Sequence, residues 1–250
     1  MEKLIAWSLS APFLLLFSVV MVGFDLLMRI GLLFTSKAYE LVLALLCRSV
    51  LLCLKVTGFS WHVVGAEFLE KIPKELPLVV VSNHQSLMDI PMLYLAFPKK
   101  RLRFVAKREL AKNIPFVSIS LRRGEHAIID REDRKRAVQQ LEDFASAAVA
   151  QNFGVCIFPE GTRARTGEMK PFRTAGLSVI LKTFRNSAVV PVAISNSWKL
   201  ARFKMMPVPI GVKVTIRILE PQSFNYDRNV AEFIEGLQGQ ISSGLDSTVY

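Results

Sequence analysis

The sequence predicts an α/β fold with a largely parallel central sheet flanked by helices, preceded by an amino-terminal hydrophobic helical segment that anchors the chain to a membrane. After residue 60, short β-branched runs alternate with helical patterns, which is typical of parallel sheets with helical crossovers. Before that point, the chain carries two long apolar stretches with few charges. We expect a boundary near Gly58, between a membrane-associated helical segment at 1–57 and an α/β domain at 58–250.

The first apolar stretch is long enough for a membrane helix. Residues 4–24 carry no formal charge and are bounded by Lys3 and Asp25, and about 20 apolar residues span a bilayer as a helix. A cleaved signal peptide is not expected, because the residues before the stretch carry no net basic charge. The alternative is a buried core helix, although such helices rarely run so long without a charge.

The second stretch, at 37–55, predicts a helix with a narrow polar stripe. On an ideal helix, Lys37, Glu40, Arg48 and Lys55 fall within a sector of about 80°. Such a helix could lie in the membrane interface, pair with the first helix or pack on the domain. Two complete spans would require Arg48 to be paired or to snorkel, so one span or a monotopic helical hairpin is favoured.

Within the domain, apolar runs predict six strands and longer patterned stretches predict four helices. The run at 78–82 is apolar and β-branched, as a buried strand should be. The stretch at 131–152 places Val138, Leu141 and Ala145 on one helical face. The other strands are expected at 103–106, 127–129, 155–158, 188–194 and 212–219, and the other helices at 86–97, 174–184 and 230–241.

The charge balance indicates an anionic partner. The chain carries 32 basic and 21 acidic side chains, an excess that suits nucleic acid, anionic lipid or a phosphorylated substrate. Residues 99–136 hold 13 basic and five acidic side chains. We expect most of these to form a solvated face and the rest to attract phosphate groups. Nucleic acid is not expected, because aromatic residues are not interleaved with the basic cluster as stacking platforms require.

The first chemical motif, Ser-Asn-His-Gln-Ser-Leu-Met-Asp at 82–89, directly follows the first strand of the domain. His84 and Asp89 would be separated on a continuous helix, but they can meet if His84 precedes the helix. Ser86 and Asp89 fit a capping box, with Ser86 at N-cap and a carboxylate reaching back toward His84. The pair then predicts a general base oriented by a carboxylate. The alternative is that Asp89 only caps the helix.

The second motif, Phe-Pro-Glu-Gly-Thr-Arg-Ala-Arg at 158–165, also follows a strand. Gly161 allows a tight turn, and Arg163 and Arg165 can bind phosphate oxygens. Taken alone, the motif also fits a basic surface loop. Both motifs stand at the carboxyl ends of predicted parallel strands, where open α/β sheets bind their ligands. We therefore expect the two motifs to share one site.

On these residues, the chain resembles the glycerolipid acyltransferase family that includes the 1-acylglycerol-3-phosphate acyltransferases. The family's Asn-His-x4-Asp block matches residues 83–89, and its Phe-Pro-Glu-Gly-Thr-Arg block matches residues 158–163 without change. An apolar Val-Pro-Val-x-Ile block matches residues 190–194. The block at 127–131 departs from the family pattern, with Ile128 where Phe is typical, but Arg131 is retained. This departure concerns acceptor preference more than the type of reaction.

The resemblance implies transfer of a fatty acyl group from acyl-CoA or acyl carrier protein to the free hydroxyl of 1-acylglycerol-3-phosphate, giving phosphatidic acid. His84 and Asp89 would be catalytic, with no metal and no cofactor beyond the acyl donor. Membrane lipids would be partners, and the active site would lie on the cytoplasmic face, where acyl donors are made. The expected substrate-binding residues are Lys107, Arg131, Glu160, Gly161, Thr162 and Arg163.

Two other activities remain open at this point. The same chemistry could act on another lysolipid, such as lyso-ornithine lipid or a lysophospholipid. A lipid hydrolase or thioesterase is the second alternative, although the chain has no Gly-x-Ser-x-Gly elbow. A covalent route would need a nucleophile beside His84. Ser82 and Ser86 are near it in sequence, but Ser86 is expected to cap a helix, and Cys156 is expected to be buried in a strand.

Overall fold

The computed structural model describes residues 2–31, 36–112, 114, 116–130, 132–203 and 206–246. In this part of the chain we number seven α-helices and eight strands. The helices are α1 (Glu2–Gly31), α2 (Ser36–Leu54), α3 (Asp89–Ala96), α4 (Val117–Arg123), α5 (Arg134–Gln151), α6 (Thr174–Phe184) and α7 (Val230–Asp246). The strands are β1 (Ser60–Val64), β2 (Leu78–Ser82), β3 (Leu102–Lys107), β4 (Ala127–Ile129), β5 (Gly154–Ile157), β6 (Asn186–Ser195), β7 (Lys213–Ile218) and β8 (Gln222–Asn225).

The strands form one sheet in the order β1-β7-β6-β2-β5-β3-β4, with β8 beside β6. The strands from β6 to β4 in this order all run parallel to their neighbours. β7 and β8 both pair antiparallel with β6, β8 along its first half and β7 along its second. The predicted α/β fold with a largely parallel sheet is therefore confirmed. Its parallel part brings the carboxyl ends of five strands to one edge.

Alternating side chains of the strands divide the core into two apolar layers. In β2, Leu78 and Val80 belong to the layer that packs under α1–α4, whereas Val79 and Val81 belong to the layer under α5–α7. This follows from the strand period of two, which sends successive side chains to opposite faces. All five residues of β2 are buried, as its uniformly apolar sequence predicts for a central strand covered on both faces.

The six predicted strands and four predicted domain helices are all present, with differences at their ends. The helix expected from residue 131 begins at Arg134, because the Asp133 side chain accepts from the Arg136 backbone N–H and caps it. The helix expected to end at residue 241 continues to Asp246. The short elements β1, α4 and β8 were not predicted. None of them is long enough to show a clear period in the sequence.

The first helix lies along the surface of the domain. Ser10 Oγ accepts a hydrogen bond of 2.8 Å from the Val208 N–H, and Asp25 Oδ1 accepts one of 2.6 Å from the Phe116 N–H. These two anchor residues are about 22 Å apart along an ideal helix. Its apolar stretch, Ile5–Ile30, is long enough to cross a membrane and only 11% buried. The helix thus combines contacts to the domain at both ends with a long exposed apolar face.

The second helix packs between α1 and the domain. It therefore both pairs with the first helix and packs on the domain, two arrangements that the sequence left open. Tyr39, Leu43 and Leu51 are among its buried residues and belong to the same apolar layer as strand β2. In the predicted polar stripe, Lys37 and Arg48 are exposed, but Glu40 is half-buried against the domain. The core thus continues across Gly58, and the boundary at that residue stays a prediction.

Candidate active site

The two predicted motifs meet at one edge of the sheet. β2 and β5 are neighbours, with Val81 opposite Ile157, so the loops that follow them leave the sheet side by side. The Ala164 N–H donates a hydrogen bond of 2.7 Å to the His84 carbonyl oxygen and joins the loops directly. Parallel strand order therefore brings together two motifs that are far apart in sequence.

His84 and Asp89 form a hydrogen-bonded pair at the centre of this edge. His84 Nδ1 lies 2.8 Å from Asp89 Oδ2, and the Asp89 side chain is fully buried while that of His84 is 15% exposed. An ionised carboxylate only accepts hydrogen bonds, so the ring donates from Nδ1 and keeps a lone pair on Nε2. Among the residues that the structure describes, Nε2 has no hydrogen-bond partner. This arrangement leaves Nε2 of a neutral His84 ring able to accept a proton.

The helix after the first motif begins later than the sequence suggested. α3 starts at Asp89 itself, and the N-cap position belongs to Met88, so the prediction that Ser86 is the N-cap is wrong. Residues 87 and 88 form a turn that shortens the helix. The carboxylate still reaches back as expected, because Asp89 Oδ2 accepts from the backbone N–H groups of Gln85 and Ser86 at 2.7 and 2.8 Å. These two donors fix its orientation toward His84.

Two neighbours of His84 hold its position, and neither contact was predicted. The Phe158 ring stacks on the imidazole with centroids 4.1 Å apart and an interplanar angle of 17°. The Asn83 side chain makes two hydrogen bonds, of 2.9 and 2.7 Å, to the carbonyl oxygen and N–H of Ile194 in β6. Asn83 directly precedes His84, and Phe158 begins the second motif. It is the strand order, however, that brings Phe158 onto His84 and Ile194 onto Asn83.

Glu160 is buried and bonds to backbone groups on both sides of the site. Its Oε1 accepts from the His84 N–H at 2.6 Å, and its Oε2 accepts from the Lys170 N–H at 2.9 Å. Burial raises the pKa of Glu160 above its usual range, although these two hydrogen bonds act in the opposite direction. The geometry fits the expectation that Glu160 shapes its loop. A role of Glu160 in substrate binding stays a prediction.

Three further predicted site residues stand at or after the ends of strands at this edge of the sheet: Lys107, Gly161 and Thr162. Gly161 has a φ of +70°, a conformation that favours glycine and lets the loop turn sharply after Glu160. Thr162 is exposed, and Lys107 is exposed at the carboxyl end of β3, on the same edge of the sheet. Arg131 lies outside the described residues. Their assignment to substrate binding stays a prediction.

Arg163 is the cation of the second motif whose charge interacts with Asp89 of the predicted base pair. It is half-buried, and its guanidinium forms no hydrogen bond or ion pair with a described residue. Burial and the charge of Arg165 lower the pKa of Arg163, while the charge of Asp89 opposes this. A guanidinium that is partly desolvated and unpaired next to a second cation is suited to bind an anion such as phosphate.

Three arginines of the basic region at 99–136 form ion pairs within the protein. Arg103 is fully buried and pairs with Glu40 and Glu125, and Arg101 bonds to the same two carboxylates. At the other end of β4, Arg108 pairs with Asp130 at 2.8 Å. These arginines are structural, so only part of the predicted basic rim is available to a ligand.

The three candidate nucleophiles are all buried. Ser82 Oγ donates to the Asn83 carbonyl oxygen, and Ser86 Oγ accepts from the Met88 N–H. Burial raises the pKa of the Cys156 thiol well above its usual range, which keeps it protonated. None of the three therefore offers an exposed nucleophile to the base. In the described ranges, no three His, Cys, Asp or Glu side chains converge as a metal site.

One residue of the site was missed entirely by sequence reasoning. Ser197, just after β6, donates a hydrogen bond of 2.5 Å from its hydroxyl to Asp89 Oδ1. The predicted strand at 188–194 ended before it, and a serine in a loop gives no chemical signal by itself. Only the parallel pairing of β6 with β2 could have suggested that the residues after both strands would meet.

The fold and these motifs together define an acyltransferase. The sequence profile of the family described as Acyltransferase matches residues 63–195, more than half of the chain, and the chain belongs to this family. It is 35% identical over 162 residues to the 1-acyl-sn-glycerol-3-phosphate acyltransferase of Helicobacter pylori, covering 64% of this chain and 65% of that protein. It is 30% identical over 161 residues to the enzyme of the same name from Cocos nucifera, covering 63% and 49%.

A solved structure shows the same fold over the whole chain. The crystal structure of the 1-acyl-sn-glycerophosphate acyltransferase PlsC from Thermotoga maritima matches with a TM-score of 0.78 and 23% identity, covering 100% of both chains. At this identity, the match concerns the fold. The chain spans about half the length of the first curated relatives, from Cocos nucifera and Caenorhabditis elegans.

Proposed function

We propose that this protein transfers a fatty acyl group from acyl-CoA or acyl carrier protein to the free hydroxyl of 1-acylglycerol-3-phosphate, forming phosphatidic acid. The observation that carries the proposal is the pair of His84 and Asp89, 2.8 Å apart at the carboxyl ends of the parallel strands. The relatives named for this activity support the choice of substrate. The unpaired Arg163 beside the pair supports an acceptor that carries a phosphate.

The reaction is a direct transfer between two bound substrates. His84 Nε2 removes the proton of the acceptor hydroxyl while Asp89 stabilises the imidazolium that forms. The alkoxide oxygen bonds to the thioester carbonyl carbon, and the carbon–sulfur bond breaks. The imidazolium then returns its proton to the leaving thiolate. No group on the protein is acylated, which agrees with the burial of Ser82 and Cys156.

The loop after β5 supplies the anion-binding groups. Arg163 binds the acceptor phosphate, with Arg131 and Lys107 as further cations and Thr162 as a hydroxyl donor. Gly161 turns the loop sharply, and its own N–H donates to the Phe158 carbonyl oxygen at 3.0 Å, so the oxyanion of the tetrahedral intermediate would need another backbone N–H of this loop. Glu160 keeps this loop fixed relative to His84 through its two backbone hydrogen bonds. Positioning both substrates in this way accounts for much of the rate acceleration.

The amino-terminal helices support a location of the site at a membrane surface. Because α1 bonds to the domain near both of its ends, it is held along the domain with its exposed apolar residues facing away. We infer that the pair α1 and α2 enters one leaflet as a monotopic hairpin. The acyl donors are made in the cytoplasm, so the active site would face that side.

The decisive experiment compares acyl transfer by detergent-purified wild type and His84→Ala. Labelled acyl-CoA and acyl carrier protein are offered with a panel of lysolipids, and the products are identified by mass spectrometry. The matched control is His62→Ala, which removes an exposed histidine of β1 that lies on the far part of the sheet and bonds to Thr215. Circular dichroism and thermal unfolding verify that all three proteins are folded.

We expect phosphatidic acid from wild type and His62→Ala, and a loss of at least 100-fold in His84→Ala, the range of a removed general base. Full activity in a folded His84→Ala would overturn the mechanism. Transfer only to another lysolipid would replace the acceptor. Fatty acid release without any acceptor would replace transfer by hydrolysis.

A further inference from the structure

We propose that Ser197 is a positioning residue for the catalytic pair: its hydroxyl holds Asp89 so that the carboxylate presents one oxygen to His84. This inference rests on the proposed function of the pair. Ser197 is not part of the motifs that define the site in sequence, since it lies more than 100 residues after Asp89 and beyond the predicted end of its strand. Its contact to Asp89 is among the shortest hydrogen bonds of the site, at 2.5 Å.

The hydrogen bonds of Asp89 are divided between its two oxygens. Oδ2 accepts from His84 Nδ1 and from the backbone N–H groups of Gln85 and Ser86. Oδ1 accepts from Ser197 Oγ. Asp89 is fully buried, so no water would replace the serine if its hydroxyl were removed. The second oxygen would then be a desolvated anionic acceptor without a donor.

The chain after β6 is built to bring Ser197 to this place. β6 continues to Ser195, beyond Ser82 at the end of β2, and the Asn83 side chain bonds to both backbone groups of Ile194. The next residue, Asn196, has a φ of +70°. This left-handed turn directs the chain back over the loop of the first motif. The hydroxyl of Ser197 therefore reaches Oδ1 of Asp89, whereas the backbone donors bond to Oδ2.

Gln85 makes a second connection between the loop of the first motif and the segment that follows β6. The Trp198 N–H donates to Gln85 Oε1 at 3.3 Å, and Gln85 Nε2 donates to the Gly167 carbonyl oxygen at 3.2 Å. Gln85 is buried, so its amide bonds are shielded from water. Ser197 Oγ also lies 3.4 Å from Gln85 Oε1, but a hydroxyl has one proton, and the closer, charged Asp89 takes it. The position of Ser197 is thus fixed independently of Asp89.

Loss of the hydroxyl should release the orientation of the carboxylate. Without a donor on Oδ1, the carboxylate can rotate to share its Oδ1 with the ring or with the backbone donors. The ring is then no longer held in the tautomer with the proton on Nδ1, and Nε2 is less often the free base. Substrate binding depends on other residues. The expected signature is a fall in kcat with little change in KM.

The test compares Ser197→Ala and Ser197→Thr with a matched control. Ser187→Ala removes a buried serine hydroxyl of β6, and Ser187 Oγ has no hydrogen-bond partner among the described residues. Acyl transfer gives kcat and KM. Independently of activity, ¹⁵N NMR reports the tautomer of His84, which is readily assigned because the chain has only three histidines. We expect Ser197→Ala to lower kcat at least tenfold with KM within about twofold, and to mix the His84 tautomers.

Ser197→Thr keeps a hydroxyl at the same carbon and should restore most of kcat and the wild-type tautomer. Ser187→Ala should behave like wild type in both measurements. An unchanged kcat and tautomer in a folded Ser197→Ala, with wild type active and His84→Ala inactive, would overturn the proposal while leaving the proposed function intact. If wild type transfers no acyl group, the proposed function fails instead, and the NMR comparison still decides whether Ser197 orients His84.

Discussion

The backbone N–H of His84 donates a hydrogen bond of 2.6 Å to Glu160 Oε1, although the two residues are 76 positions apart. The second oxygen of the same carboxylate accepts from the Lys170 N–H. A single buried side chain therefore satisfies one backbone donor beside the proposed base and one at Lys170, in the loop that we propose binds phosphate. Its charge matters because only a carboxylate can accept from both sides at once.

Glu160→Gln should for this reason impair both stability and turnover. The amide offers one oxygen, so its NH₂ group must face either His84 N–H or Lys170 N–H and leave that donor unsatisfied, a loss of about 1–3 kcal/mol. We expect a lower Tm and a kcat reduced at least tenfold. Thermal unfolding and acyl transfer measure the two effects. Glu168→Gln, an exposed neighbour in the same loop, serves as control, and equal behaviour of both variants would contradict the prediction.

A second prediction concerns the contact between α2 and the sheet. Glu40 pairs with the buried Arg103 and also accepts from Tyr94 Oη at 2.7 Å. Burial alone would raise the pKa of Glu40, but the hydrogen bonds and charge of Arg103 outweigh it and lower that pKa below its usual value of 4.5. Glu40→Gln leaves Arg103 with Glu125 as its remaining partner. We expect a loss of about 2 kcal/mol in the free energy of unfolding at pH 7.

The pH dependence provides the check on this pair. A carboxylate with a lowered pKa in the folded state contributes stability above its unfolded pKa, and this contribution is lost as the pH falls through the folded pKa. The difference between wild type and Glu40→Gln should therefore shrink below about pH 4.5. Thermal unfolding over a pH series measures it. Glu67→Gln, an exposed glutamate, should show no such difference, and a constant gap for Glu40→Gln would refute the assignment.

His126 predicts a separate loss of stability in acid. Its Nδ1 accepts a hydrogen bond of 3.0 Å from the Phe104 N–H, so the ring is held neutral. Burial, assisted by the charge of Arg103, lowers the pKa of His126 from 6.5 to about 3. The unfolded chain binds the proton below pH 6.5 and the folded chain does not. Stability should thus be complete above that pH and fall by at most about 1.4 kcal/mol per pH unit below it.

The variant His126→Asn tests this assignment. Its side-chain oxygen can accept from the Phe104 N–H in place of Nδ1, and it does not titrate. The free energy of unfolding of His126→Asn should vary less than that of wild type between about pH 6.5 and pH 4. Chemical unfolding at several pH values measures the slopes. Parallel slopes in the two proteins would show that another group carries the acid sensitivity.

Gly124 predicts a steric effect at the junction of α2 and α4. A Cβ at this residue would lie 1.9 Å from Tyr39 Oη and 2.5 Å from the Ser120 carbonyl oxygen. Because the second neighbour is backbone, the clash cannot be relieved by a side-chain rotation alone. Gly124→Ala should therefore lower the free energy of unfolding by about 1–3 kcal/mol.

Gly239 in α7 gives the matched comparison, since a Cβ there meets no atom within 4 Å. Gly239→Ala should raise the free energy of unfolding by about 0.5–1 kcal/mol, because alanine favours a helix interior. The two substitutions are chemically the same, so opposite shifts in Tm isolate the steric term. A Gly124→Ala protein as stable as wild type would show that α2 can move away from α4.

The sequence was sufficient for the parallel part of the fold because each central strand is a continuous apolar run. β2 and β5 are buried on both faces, and that environment requires such a run. The short edge element β1 alternates between exposed and half-buried residues and has no comparable signal. Local periodicity also could not show whether α3 begins after Ser86 or at Asp89, because the spacing of these two residues fits a capping box whether or not residues 87 and 88 are helical.

The same distinction explains which parts of the site could be predicted. His84, Asp89 and the arginine loop are contiguous motifs, and each stands directly after a strand. Ser197 contacts Asp89 and Phe158 contacts His84 from other parts of the chain. Whether these contacts form depends on which strands are neighbours and where the strands end. A strand order cannot be read from periodicity, because periodicity describes each strand alone and carries no information about its neighbours. The supporting contacts therefore needed the tertiary structure.

The exposed face of α1 predicts how the protein binds vesicles. Leu15, Val19 and Val22 are 70%, 62% and 66% exposed, although each is apolar, and they fall on the part of α1 that the domain leaves uncovered. A charge placed there would have to enter the acyl region of the leaflet. Val19→Glu should weaken binding to vesicles of phosphatidylcholine and phosphatidylglycerol by at least about tenfold, measured by co-sedimentation.

The control for this effect is Val149→Glu, which places the same charge on an exposed valine of α5, in the layer of helices on the other face of the sheet. It should bind vesicles like wild type, and both variants should keep the wild-type Tm in detergent because neither side chain packs in the core. If Val149→Glu weakened binding as much as Val19→Glu, the added negative charge alone would explain both results. Since the domain holds α1 at Ser10 and Asp25, a selective loss in Val19→Glu would place the membrane on the outer face of this helix.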